Sequence, residues 1–192
     1  SEKFASIFLS LGWSLKLLFV PHPLTIDYYP YHVPKVSWTD WRVLVSLAGY
    51  LAMGVWAVRQ LKKTRDTEAS GSLVPAFCIL YFLLTISVVS NIFVRTSTFL
   101  NERYLFMPSV GFCLLVAWFA ARKLPELLRK PYNKPNFWSA VLIGAIGLLF
   151  GLRTWTRVPD WGGDGRNLVE SAIQVSSGSY RANYYYANYL YQ

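Results

Sequence analysis

Cysteine, histidine and charged residues are all scarce in this chain of 192 residues, which contains 2 Cys, 2 His and 15% charged residues. Both cysteines, Cys78 and Cys113, lie inside apolar stretches, where a cysteine usually behaves as a small buried hydrophobe. This scarcity excludes a fold stapled by disulfides and a Cys/His metal cluster. His22 and His32 flank Asp27, but this spacing is a weak metal signature, and we predict no metal site.

Several catalytic motifs are also absent from the sequence. It has no Gly-rich phosphate-binding loop and no nucleophile elbow. The sequence therefore gives no support to a hydrolase or nucleotidase of the soluble type.

Apolar residues are abundant, at 54% of the chain, and they occur in blocks with almost no polar face. Such blocks are near the length of about 20 residues that a helix needs to cross the hydrocarbon core of a bilayer. We therefore predict an all-α fold, a polytopic membrane helix bundle with about five spans. The predicted spans are residues 4–20, 43–58, 73–94, 104–121 and 137–152.

Basic residues outnumber acidic ones by 19 to 10, which gives a net charge of +9. The cations concentrate in the second and fourth connections between apolar blocks. Cytoplasmic loops of membrane proteins are rich in Lys and Arg, so we predict that both connections are cytoplasmic. Membrane orientation thus accounts for the charge, and we predict no nucleic-acid partner. The residues concerned are Arg59, Lys62, Lys63, Arg65, Arg122, Lys123, Arg129, Lys130 and Lys134.

This orientation predicts a cytoplasmic N-terminus, with the first and third connections and the tail on the opposite face. In the tail, small and apolar residues recur at helical spacing on both sides of residues 176–179, Ser-Ser-Gly-Ser. The pattern predicts helix, turn and helix, the start of a tetratricopeptide-type repeat. We divide the chain into a transmembrane helical domain, residues 1–155, and an extracytoplasmic helical hairpin, residues 156–192.

The third connection carries Arg95, Glu102 and Arg103 at the predicted membrane surface, where charges are costly to keep without a use. Two guanidinium groups there can bind a phosphate, for which arginine has a matching donor fork. Glu102 would then orient Arg103 or take part in proton transfer. The alternative is that all three residues are interfacial anchors that cap two helices.

The first connection, residues 21–34, contains closely spaced prolines that exclude a regular helix. We predict that Asp27 and His22 lie on the substrate side, where Asp27 binds a sugar hydroxyl, a metal or an acceptor. The alternative is that Asp27 only forms a turn. We assign no catalytic residue.

Small residues in two of the predicted spans suggest close helix packing. Ser109 and Gly111 follow Pro108 in the fourth span, and Gly147 and Gly151 form a small-xxx-small pair in the fifth. Near the exit from the fifth span, the predicted role of the Trp and charged side chains is to fix the start of the tail rather than to bind a ligand. These residues are Trp155, Arg157, Asp160 and Trp161.

Three stretches of the sequence resemble a known family, the transmembrane and tetratricopeptide-repeat protein O-mannosyltransferases and their bacterial counterparts. The resemblance spans nearly the whole chain and corresponds to the C-terminal membrane part and the first repeat helices. The stretches are Lys-Leu-Leu-Phe-Val-Pro-His-Pro-Leu at 16–24 with Asp27 and Tyr28, Asn-Glu-Arg-Tyr-Leu-Phe-Met-Pro-Ser-Val-Gly-Phe at 101–112, and Arg-Thr-Trp at 153–155 with Asp160 and Trp161.

The resemblance implies a GT-C-type glycosyltransferase with many spans. Such an enzyme takes a sugar, here mannose, from a polyprenyl-phosphate donor in the lipid bilayer to Ser or Thr of a protein acceptor. It works on the periplasmic or lumenal face of a bacterial inner membrane or of the endoplasmic reticulum. The acidic catalytic residues of such enzymes follow the first span, so we expect the general base outside this chain. The resemblance leaves the metal requirement and the oligomeric state open.

Two other functions fit the same residues. One is a membrane scaffold without catalytic activity, whose tail presents tetratricopeptide repeats to protein partners. The other is a ligase or polymerase of lipid-linked oligosaccharides, which would use the same basic groups at the membrane surface.

Overall fold

The computed structural model describes residues 2–30, 32–65, 73–94, 96, 98–127, 137–162 and 165–191. These residues form helices and connecting segments, and no strand occurs among them, as the all-α prediction requires. The α-helices are α1 Glu2–Phe19, α2 Trp41–Arg65, α3 Leu73–Val89, α4 Phe106–Trp118, α5 Leu124–Leu127, α6 Phe137–Arg157, α7 Arg166–Val175 and α8 Tyr180–Leu190. Short 3-10 helices cover Glu102–Leu105 and Val158–Trp161, and a π-helical turn covers Phe119–Lys123.

Three helical stretches are long and apolar enough to cross a membrane: Trp41–Lys63, Glu102–Leu127 and Phe137–Trp161. They correspond to the second, fourth and fifth predicted spans. Helix α3 corresponds to the third and is apolar, but it is shorter, with 17 residues. The total of about five spans stays a prediction.

Helix α1 is not one of these candidate spans; it is largely buried against the bundle. The carbonyl of Phe8 accepts a hydrogen bond from Ser46 Oγ at 2.6 Å, and that of Leu11 accepts one from Tyr50 Oη at 3.0 Å. The rings of Phe19 and Phe112 meet at 4.9 Å. These contacts come from α2 and α4, so α1 packs against both helices.

The first connection folds back along α1. Tyr28 and Val33 are fully buried, and Trp13 of α1 contacts the rings of Tyr28 and His32. The backbone N–H of Val36 donates to Ser6 Oγ at 3.2 Å. The start of α1 thus lies beside the first connection, which does not support the prediction that the two are on opposite faces of a membrane.

The close approach of α3 and α4 occurs at Gly111. A Cβ atom added to Gly111 would lie 2.7 Å from the carbonyl oxygen of Cys78, closer than van der Waals contact allows. This confirms the packing role predicted for Gly111. A Cβ added at Gly147 or Gly151 meets no described atom within 4 Å, so within the described residues this pair does not form the packing face that we expected.

Helices α7 and α8 form the predicted helix–turn–helix in the tail, referred to below as the hairpin (166–190). Ser179 caps α8, because its side chain accepts a hydrogen bond from the backbone N–H of Ala182 at 3.3 Å. Ala172 of α7 and Ala182 of α8 are fully buried. That the hairpin begins a tetratricopeptide repeat stays a prediction.

Candidate functional site

The hairpin docks on the first connection through buried hydroxyl groups. Ser176 Oγ donates to Thr25 Oγ1 at 3.1 Å, and Ser179 Oγ donates to Asp27 Oδ2 at 3.0 Å. Asp27 is 8% exposed, and its other carboxylate oxygen accepts the backbone N–H of Tyr29 at 3.3 Å. The carboxylate of Asp27 therefore anchors the hairpin, a role that the sequence did not indicate.

We expect Ser179→Ala to lower the free energy of opening of the hairpin by about 1–3 kcal/mol. The substitution leaves a buried carboxylate oxygen of Asp27 without its donor and removes the cap of α8. Hydrogen exchange of the α7 and α8 amides measures this local opening. Asp27→Asn tests the contact while keeping the cap, and Ser177→Ala is the exposed control. Equal exchange rates for Ser179→Ala and Ser177→Ala would contradict the contact.

A second set of polar contacts surrounds Glu102, at the start of the segment that leads into α4. The hydroxyl of Tyr28 donates to the carbonyl of Pro23 at 3.1 Å and to Glu102 Oε1 at 3.4 Å. Burial raises the pKa of the Tyr28 phenol above its ordinary value, so this hydroxyl stays protonated and remains a donor. We expected Glu102 to orient Arg103 or to take part in proton transfer. Its carboxylate contacts Tyr28 and Arg157 instead of Arg103, and a part in proton transfer stays a prediction.

Arg157 lies at the centre of this network, with a side chain only 12% exposed. Its guanidinium lies 3.6 Å from Glu102 Oε1 and donates to Asp160 Oδ2 at 2.5 Å and to Ser171 Oγ at 3.1 Å. The Nε and Nη2 atoms are buried and make no hydrogen bond within the described residues. Arg157 therefore joins the end of α6 to the hairpin and to the segment Glu102–Leu105, which leads into α4 and is called the α4 entry below.

The sequence indicated that Arg157 helps to fix the start of the tail, but it did not indicate the contact with Glu102. The partners of Arg157 lie 3, 14 and 55 positions away in the sequence, so spacing cannot reveal the cluster. The available signal was a pair of arginines at the end of an apolar block. The other member, Arg153, donates from Nε to the carbonyl of Pro21 at 3.0 Å.

Next to Arg157 a cleft of about 540 Å³ opens between the α4 entry, the end of α6 and the hairpin. Its described lining residues include three arginines and one carboxylate, that of Glu102, so this part of the lining carries a net positive charge. Aromatic rings and amides complete the walls. The lining residues are Thr25, Ile26, Asn101, Glu102, Arg103, Arg157, Trp161, Gly165, Leu168, Val169, Arg181, Tyr185, Asn188 and Tyr189.

The structure brings together two of the residues predicted for phosphate binding, Glu102 and Arg103, in this cleft. Arg95 lies outside the described residues. His22 is exposed, and neither His22 nor Asp27 lines the cleft, so their place on the substrate side stays a prediction.

No group of three or more potential metal ligands occurs among the described residues.

The two histidines of the first connection differ in environment. Burial lowers the pKa of His32 below its ordinary value, which favours the neutral imidazole at neutral pH.

Comparison with curated proteins gives relatives of a single kind. Protein O-mannosyl-transferase Tmtc3 of Drosophila melanogaster is 30% identical over 146 residues, which cover 76% of this chain and 15% of that protein. Human protein O-mannosyl-transferase TMTC1 is 28% identical over 182 residues, or 94% of this chain and 20% of the relative. Human protein O-mannosyl-transferase TMTC4 is 28% identical over 172 residues, or 88% and 22%.

The matched region is a small part of each relative, because the chain spans between 15% and 22% of their lengths. No protein-family model matches the chain. No solved structure matches it either.

Proposed function

Because this chain belongs to the family of transmembrane and tetratricopeptide-repeat protein O-mannosyl-transferases, we propose that the complete protein is an integral-membrane glycosyltransferase. It transfers a sugar, mannose by analogy with the relatives, from a polyprenyl-phosphate donor to Ser or Thr of a protein acceptor. The observation that carries this proposal is the arginine-lined cleft at the ends of two candidate spans. The names of the relatives support the glycosyltransferase class.

The position of the cleft suits a donor anchored in lipid. The candidate span Glu102–Leu127 begins at the cleft, and Phe137–Trp161 ends there. A polyprenyl chain can therefore remain in the bilayer while its phosphate lies at the helix ends. Arginine matches phosphate with two parallel N–H donors, and both Arg103 and Arg157 line this space.

The residues take distinct roles in this proposal. Arg103, with Arg95, stabilises the negative charge that develops on the departing lipid phosphate, which a preorganised donor does most effectively. Glu102, which itself accepts a hydrogen bond from Tyr28, holds the Arg157 guanidinium in place beside the phosphate. The acceptor hydroxyl loses its proton to a general base, for which we assign no residue in this chain.

The proposed face of the membrane is extracytoplasmic, meaning periplasmic or lumenal. The cleft lies where α4 begins, whereas the exposed cations Arg59, Lys62 and Lys123 lie near the other ends of α2 and α4. Cations mark the cytoplasmic side, so the cleft and the hairpin face the opposite compartment.

The direct test is sugar transfer by the complete protein in proteoliposomes. Polyprenyl-phosphate mannose, labelled in the sugar, is supplied with a peptide that contains Ser and Thr, and a peptide with Ala at those positions is the control. We expect label on the hydroxyl peptide alone. No transfer to protein, or transfer only to a lipid-linked oligosaccharide, would contradict the proposal.

A further inference from the structure

One face of α8 forms a wall of the cleft. It contributes Arg181, Tyr185, Asn188 and Tyr189, a spacing of i, i+4, i+7 and i+8 that places them on one side of a helix. Two phenol rings thus lie one turn apart, with an amide beside them. Trp161, the last residue of the 3-10 helix that follows α6, also lines the cleft and is 60% exposed.

The rings of this wall are held in place by contacts outside the cleft. The Arg166 guanidinium lies over the Tyr189 ring at 5.7 Å, and Arg166 is itself held by Glu170 at 2.7 Å. Tyr185 meets the Tyr184 ring edge-on at 5.9 Å. The two tyrosines therefore have defined neighbours before any ligand binds.

Aromatic faces beside amides match the chemistry of a hexose ring. A hexose presents C–H groups on its faces, which suit the electron-rich face of an aromatic ring. Its hydroxyls lie around the edge, where an amide such as that of Asn188 both donates and accepts hydrogen bonds. Leu168 and Val169 add apolar surface, and the volume of about 540 Å³ lies within the range of about 300–1,000 Å³ typical of small-molecule sites.

We propose that Tyr185, Asn188 and Tyr189 of the hairpin bind the hexose ring of the lipid-linked donor, with Trp161 contributing a further aromatic surface. This inference rests on the proposed function and deepens it, because it assigns sugar recognition to the extracytoplasmic hairpin. Arg103 and Arg157 hold the phosphate in the same cleft. The hairpin is thus a specificity element of the donor site as well as the start of the tail.

The test compares lipids with and without the sugar. Binding of polyprenyl-phosphate mannose and of polyprenyl phosphate is measured on the complete protein in nanodiscs. Because the double variant Tyr185→Ala/Tyr189→Ala removes both rings of the wall, we expect it to bind the mannosyl lipid about tenfold more weakly, a loss of about 1.4 kcal/mol. Its affinity for polyprenyl phosphate stays at the wild-type value.

Matched variants separate sugar binding from folding. Tyr180→Ala removes a tyrosine of α8 that is 82% exposed and outside the cleft, and it should bind both lipids normally. Tyr185→Phe keeps the ring and should therefore lose less affinity for the mannosyl lipid than the double variant does. Hydrogen exchange of α7 and α8 checks that the hairpin of the double variant remains folded.

Three outcomes would overturn the inference. Unchanged binding of the mannosyl lipid by the double variant removes the wall from the sugar site. An equal loss for both lipids assigns these tyrosines to phosphate binding or to folding. Weakened binding of a mannosylated peptide, with normal donor binding, assigns the wall to a sugar on the acceptor. If the wild-type protein binds neither lipid, the proposed function fails as well.

Discussion

Arg103→Ala is expected to lower sugar transfer by about 10²–10³-fold, the loss typical when a preorganised donor to developing negative charge is removed. Arg103 is exposed and lines the cleft, and its contact with the neighbouring Tyr104 ring is 5.8 Å long. The substitution should therefore leave the fold intact. Initial rates of transfer from polyprenyl-phosphate mannose in proteoliposomes measure the effect.

Two further variants show whether the loss comes from the guanidinium at this position. Arg103→Lys keeps the charge but loses the two-pronged donor, so we expect it to recover only part of the rate. Arg59→Ala removes an exposed cation near the far end of α2 and should have no effect. If Arg103→Ala transfers sugar at the wild-type rate, Arg103 does not belong to the site.

Gly111→Ala is expected to destabilise the bundle by about 1–3 kcal/mol, as overpacking does in a close-packed interior. The added Cβ would lie 2.7 Å from the Cys78 carbonyl oxygen and 3.2 Å from the Phe82 backbone nitrogen. These are backbone atoms, so α3 as a whole must move to make room. Thermal unfolding of the detergent-solubilised protein measures the effect as a lower midpoint.

Gly147→Ala is the matched control for this prediction. It makes the same change inside α6, where the added Cβ meets no described atom within 4 Å. Alanine is a better helix former than glycine by up to about 1 kcal/mol, so stability should stay the same or rise slightly. Equal midpoints for the two variants would contradict the contact of α3 with Gly111.

Several features could be predicted from local pattern alone. The apolar blocks predicted the helices α2, α4 and α6, because a span needs a continuous apolar stretch whatever its neighbours are. The interruption at residues 176–179 predicted the turn of the hairpin. Glu102 and Arg103 stood out because charged residues beside long apolar stretches are uncommon.

Helix α1 shows what the local sequence pattern could not predict. An apolar helix covered by other protein segments has the same composition as one that faces lipid, so composition alone does not distinguish the two. That residues 4–20 form a span stays a prediction. The contacts of α1 with Ser46, Tyr50 and Phe112 come from segments far away in the sequence. They show that other helices pack against α1, which composition does not encode.

The sequence by itself determined the all-helical class, the apolar stretches, and the charged pair Glu102 and Arg103 beside one of them. These features follow from hydrophobicity and short-range spacing. Only the tertiary structure decided that Arg157 joins Glu102 and that Asp27 anchors Ser179 across 152 positions. A buried charge or hydroxyl must find a partner, but sequence spacing does not show which of many distant groups the fold brings within hydrogen-bonding distance.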